Sequence, residues 1–112
     1  MSISIDGFCQ QVATFEAASG VAAGKPVAMS ANGKVEAVTS GAFCGICIGV
    51  RNGIAAVQTG GYIKVPYSGT LTIGFKQLAA ASGGKVTVDT TNGREYLVVY
   101  VDSASGTAGI IL

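Results

Sequence analysis

The stretch Val27-Ala28-Met29-Ser30-Ala31-Asn32-Gly33-Lys34-Val35-Glu36-Ala37-Val38 decides the fold class. Two runs of β-forming residues flank an Asn-Gly pair, and Asn-Gly supplies the two positive-φ positions of a type I′ hairpin turn. The spacing predicts a hairpin joining residues 27–29 to residues 35–38. Its Gly33-Lys34-Val35 unit has two companions, Gly24-Lys25-Pro26-Val27 just upstream and Gly84-Lys85-Val86 far downstream. Each unit sets a turn glycine and a lysine before an apolar β-former, so each reads as the start of a strand.

Working outward, Ile3 and Ile5 alternate with Ser2 and Ser4, the pattern of a short extended arm. Residues 7–18 fit either a helical stripe of Phe8, Val12 and Phe15 or a strand with a loop. Gly24 and Pro26 predict an edge strand over 21–29. An apolar strand follows at 43–50, and Asn52-Gly53 predicts a second hairpin leading into 54–58. Residues 62–67 and 70–75 alternate, as expected of strands with one face buried and one wet. One helical turn is expected over 77–81, before Gly83-Gly84. Val86 and Val88 continue the alternation, Asn92-Gly93 is a third Asn-Gly turn, and 97–101 and 109–112 read as strands. A carboxyl end of Ile110-Ile111-Leu112 is expected to pair in the sheet rather than fray.

The expectation is therefore an all-β fold, a small single-domain β-barrel or tulip-like sandwich of eight to ten short strands with at most one short helix. Residues 1–20 read as an arm and lead-in and 21–112 as the barrel core. At 112 residues the chain suits one domain. Hydrophobic residues make up 49% but aromatics only 7%, so the core must rest on Val, Ile, Leu and Ala. Seventeen glycines set among β-branched residues argue for many tight turns.

Charge is sparse. Seven basic residues stand against six acidic ones, net +1, and the basic residues are scattered. That leaves no electrostatic footprint for a phosphate backbone, and nucleic acid is not an expected partner. So little charge on so apolar a chain points to a surface covered by partners, the alternative being a soluble monomer with a Ser/Thr/Gly surface. No membrane span is expected, because the uncharged stretch at 37–50 is short and broken by glycines. The amino terminus has no basic, apolar secretion pattern, so folding in a reducing cytoplasm is expected.

Cys44-Gly45-Ile46-Cys47 has the spacing of a redox motif but sits in a β pattern with no helix to lower a thiol pKa. On a regular strand its two sulfurs diverge. With only Cys9 besides, and no histidine, a four-ligand zinc site cannot be completed within one chain. Core packing is the expected role, with a site shared between subunits as the alternative. A Ser-His-Asp or Cys-His system is impossible without histidine. Asp6, Glu16, Glu36, Asp89, Glu95 and Asp102 form no close pair and read as solvated acids. Gly60-Gly61 and Gly83-Gly84 match no phosphate-binding loop. Tyr62, Tyr67, Tyr96 and Tyr100 read either as interface anchors or as sheet residues with their hydroxyls at the rim. No catalytic residue, cofactor or metal is expected.

Three segments carry a resemblance. They are Val21-Ala22-Ala23-Gly24-Lys25-Pro26-Val27 with 32–35; Phe43-Cys44-Gly45-Ile46-Cys47-Ile48-Gly49-Val50 with 52–53, 56–58 and 61–65; and Leu71-Thr72-Ile73-Gly74-Phe75-Lys76-Gln77-Leu78 with 83–86, 93–97 and 101–102. Over roughly residues 10–112 the chain resembles the head-decoration, or capsid cement, proteins of tailed bacteriophages. The resemblance implies a non-enzymatic virion protein on the outer capsid surface, commonly a homotrimer, clamping the major capsid protein after shell expansion. It also implies an amino-terminal arm that adds a strand to the capsid protein, which points to Ser2, Ile3, Ser4 and Ile5 as capsid contacts. The alternative is a small β-barrel module of a head fibre or tail that binds host glycan.

Overall fold

The computed structural model describes residues 11–112, and among them all regular secondary structure is β, in ten strands. Five form a closed barrel: β1 (Gln11–Ala17), β2 (Pro26–Ala31), β3 (Lys34–Ala37), β4 (Gly45–Arg51) and β5 (Ile54–Gly60), in the order β1-β3-β2-β4-β5, with β5 returning to β1. The other five, β6 (Tyr62–Pro66), β7 (Gly74–Ala81), β8 (Lys85–Val88), β9 (Arg94–Asp102) and β10 (Thr107–Ile111), form a sheet in the order β6-β10-β9-β7-β8.

The two halves have one topology. Taken around the ring, β6-β8-β7-β9-β10 reproduces β1-β3-β2-β4-β5. Parallel pairing closes the first ring through Glu16↔Lys34 and Ala17↔Val35. In the second, an isolated parallel bridge between Tyr67 and Val86 stands at the same place. The hairpins β2–β3 and β7–β8 set Val27 opposite Ala37 and Leu78 opposite Val88. Both β4–β5 and β9–β10 carry a bulge, at Ile48 and at Val99, which sharpens the local twist. Val27, Val35, Cys47, Ala55 and Val57 of the first interior therefore correspond to Leu78, Val86, Val98, Ala108 and Ile110 of the second. Gly33-Lys34-Val35 and Gly84-Lys85-Val86 are the same strand start used twice, while in the third unit the strand opens one residue later, at Pro26.

The halves are fastened together by the connection from β3 to β4. Phe43 leaves the first ring and packs in the second core, stacked on Tyr96 with ring centroids 5.1 Å apart. The Tyr96 hydroxyl donates a 2.7 Å hydrogen bond to the Phe43 carbonyl, and the Ala80 N–H donates to the Gly41 carbonyl at 2.8 Å. At the β5–β6 corner the buried Gln58 amide donates to the carbonyls of Gly60 and Tyr62. These bonds satisfy polar groups that would otherwise be costly to bury. The chain end pairs as expected, with Leu112 N–H on the Gly61 carbonyl.

Several local expectations need correction. Gln11–Ala17 is a wall of the barrel, paired to β3 and β5, so the barrel takes in part of the lead-in assigned to 1–20. β2 is an interior strand between β3 and β4, not an edge. Pro26 is tolerated because it is the first residue of the strand, where its missing N–H costs least, and its carbonyl accepts from Val38. Residues 77–81 lie in β7 rather than a helical turn, since both flanking strands claim their backbone bonds. Regular pairing of the segment read as a strand over 70–75 begins only at Gly74.

The three Asn-Gly pairs also differ. Asn52-Gly53 has both residues at positive φ (53° and 76°), as a type I′ turn requires. Asn32-Gly33 joins β2 to β3 as expected, but only Gly33 is left-handed, and a register shift between Met29 and Ala31 absorbs the difference. Asn92-Gly93 uses no positive φ. Gly93 is there for space: a Cβ would meet the Asp89 carbonyl and lie 3.0 Å from the carbonyl carbons of Gln77 and Leu78.

Candidate functional site

The residues that looked chemically capable are engaged in structure. Cys47 is fully buried in the first core, and Cys44, half-buried, packs against the same cluster. Cys44 lies before β4 begins, so the divergence expected of a regular strand does not apply. Burial pushes the Cys44 thiol up from its ordinary value, with a backbone hydrogen bond and Arg94 opposing, and a raised pKa disfavours the thiolate. Cys9 and the arm residues Ser2, Ile3, Ser4 and Ile5 lie outside the described residues.

The carboxylates are dispersed. Asp89 Oδ1 accepts from the N–H groups of Thr91 and Asn92, both at 2.9 Å, and Asp102 Oδ1 accepts from those of Ala104 and Ser105. The N–H groups of Asn92 and Thr91 hold the Asp89 carboxyl below the usual carboxylate range. Hydrogen bonds from Ser105 do the same for Asp102. Asp89 shapes the turn between β8 and β9, and Asp102 the β9–β10 hairpin corner. Glu16 meets Lys34 at 4.0 Å on an exposed face. Among the described residues no group of three His, Cys, Asp or Glu side chains could hold a metal ion, and no helix is long and apolar enough to cross a membrane.

What remains is surface, and the shared topology allows its two halves to be compared position by position. On the outer face of the second sheet Lys64 pairs with Gly109, and Tyr62 covers Gly109 so closely that a Cβ there would lie 2.6 Å from its ring. Tyr100 also pairs with Gly109, and the Lys64 ammonium sits 5.8 Å from the Tyr100 ring centroid. The matching positions in the first barrel are Val12, Thr14, Ala56 and Gly49. Val12, Thr14 and Gly49 are smaller than Tyr62, Lys64 and Tyr100, Ala56 exceeds Gly109 by one methyl, and no tyrosine stands at these positions in the first barrel. A groove of about 500 Å³ lies there, floored by Gly49 and Ala56 and walled by Thr14, Val50, Ile54 and Arg51.

A second apolar feature faces solvent on the other half. Ile73 and Phe75, flanking the first residue of β7, are each 67% exposed, the highest values among the exposed large apolar side chains of the described residues. Leu97 lies opposite Phe75, and Val99 is exposed beside it. The tyrosines split accordingly: Tyr96 is buried with its hydroxyl bonded, Tyr62 is nearly buried, and Tyr100 is exposed. Sequence reasoning singled out neither the groove nor the Ile73–Phe75 knob. Their signals were Gly49 inside an apolar strand, a usual mark of close backbone approach or an unfilled position, and the unpartnered alternation at 70–75. No protein-family model and no curated protein matches the chain.

Proposed function

We propose that this chain is a non-enzymatic structural protein of a phage virion, a decoration protein that binds the outer surface of the capsid through the major capsid protein and stabilises the shell as a homotrimer. The observation that carries the reading is the exposed apolar surface, the groove on one half and Ile73 with Phe75 on the other, on a chain with only 12% charged residues. Large exposed apolar side chains in contiguous patches mark surfaces made for partners. A near-neutral body avoids mutual repulsion when many copies crowd one shell, and repeated attachment multiplies weak contacts. The resemblance in residues 21–27, 43–50 and 71–78 supports the same reading. In it the protein is made in the host cytoplasm, and Ser2, Ile3, Ser4 and Ile5 add an edge strand to the capsid protein.

The test is addition of purified protein to expanded capsids that lack it. Co-sedimentation at saturating stoichiometry and a higher capsid disruption temperature are expected, and Ile3→Asp with Ile5→Asp should weaken binding. No binding, together with unchanged heat stability of virions made without the protein, overturns the proposal.

A further inference from the structure

We infer that the Ile73–Phe75 knob of one copy seats in the Gly49–Ala56 groove of the next, a head-to-tail contact between unlike surfaces of identical chains. The inference deepens the self-association proposed above and does not depend on capsid binding. Three observations carry it. The second sheet shows what the groove geometry accepts, because the matching ground around Gly109 is covered by Tyr62, with the Tyr100 ring at the paired position of β9 beside the Lys64 ammonium. In the first barrel that ground is bare, and Gly49 has nothing within 4 Å of where its Cβ would be. Phe75 with Ile73 is the most exposed aromatic-aliphatic pair on the described surface, and a groove of about 500 Å³ has room for both side chains.

Charge agrees with this choice of occupant. Arg51 rims the groove, while Glu95 lies beside the knob on β9, opposite Gln77. Neither is engaged in an ion pair among the described residues. Seating Phe75 over Gly49 brings an acidic edge towards a basic one, which sets the orientation of the pair. A contact between unlike surfaces leaves a free knob and a free groove at the ends of any open chain, so it propagates until it closes into a ring.

The test uses the full chain and sedimentation velocity over a range of concentrations. Wild type should populate a closed oligomer, Phe75→Ser should remove the knob, and Gly49→Tyr should fill the groove as Tyr100 fills its counterpart. Each variant alone should be a monomer with unchanged circular dichroism and a cooperative thermal unfolding transition. Mixed in equal amounts they should form a heterodimer and nothing larger, because only one intact knob and one intact groove remain. A monomeric wild type, oligomers retained by both variants, or a mixture that stays monomeric overturns the inference. So does loss of the oligomer in Ile3→Ser with Ile5→Ser while Phe75→Ser retains it, since the amino-terminal segment is then the occupant. Self-association that follows this pattern without capsid binding would remove the decoration reading and leave this inference standing.

Discussion

The two halves share a strand order and solve the problem of a five-stranded ring differently. The first holds a small interior of Val27, Val35, Cys47, Ala55 and Val57 and closes fully, with β1 paired to both β3 and β5. The second replaces these with Leu78, Val86, Val98, Ala108 and Ile110 and adds Phe43, Ile46, Val65, Leu71 and Tyr96. Its seam is held by one bridge at Tyr67 and Val86, the Ser68 N–H on the Val86 carbonyl, and the Thr87 hydroxyl on the Ser68 carbonyl. A larger interior demands a wider ring, and the seam is where the ring gives. The lesson is that one topology can be stabilised mainly by a complete hydrogen-bonded wall or mainly by a filled core.

That comparison can be broken most sharply at the fastening between the halves. Phe43→Ala removes a ring that belongs in sequence to the first half and in packing to the second, and should cost about 4 kcal/mol in urea unfolding. If the loss is confined to one half, amide exchange will show it there alone; uniform loss of protection will show one cooperative unit. Next come the paired core positions. Leu78→Ala should cost about 3 kcal/mol. Its counterpart Val27→Ala removes less apolar surface and should cost about 2 kcal/mol. Equal losses would mean that the first barrel relies on its core as heavily as the second.

The glycines test the outer faces. Gly109→Ala forces Tyr62 from its place and should cost about 2 kcal/mol. Gly49→Ala enters open space at an ordinary backbone angle and should change stability by less than about 0.5 kcal/mol. A marked loss at Gly49 would show that the groove is narrower than its geometry.

The smallest effect concerns acid. The folded-state pKa values of Asp89 and Asp102 are depressed, so their stabilising contribution is present above the unfolded value of about 4 and is lost as pH falls through the folded value. Amide protection at the β8–β9 and β9–β10 corners should weaken with acid, while the Asn52-Gly53 corner of the first barrel, built on backbone conformation, should not respond. Asp89→Asn should abolish that pH dependence at its own corner, read by hydrogen exchange.

Much of the architecture was legible in local chemistry. Strand starts at Lys34 and Lys85, the Asn52-Gly53 turn and the apolar carboxyl end are dictated by φ preferences and alternation, which act over a few residues. Competition between neighbours misled at other places. The Gln77–Ala81 segment has helical residues, yet β8 and β9 claim its backbone bonds. Pro26 argues for an edge, yet it sits at the one position of an interior strand where no N–H is required.

Taken alone, the sequence determined that this protein is all-β, glycine-turned and nearly uncharged, and that histidine chemistry is closed to it, because composition and short-range sterics are sufficient for those conclusions. The tertiary structure decided that the strands fold as a closed barrel and a second sheet of one strand order, that Phe43 crosses between them, and that bare Gly49 stands where the second sheet carries Tyr100. Those facts depend on which distant strands pair and on which side chains then compete for the same space, and no local pattern encodes that outcome.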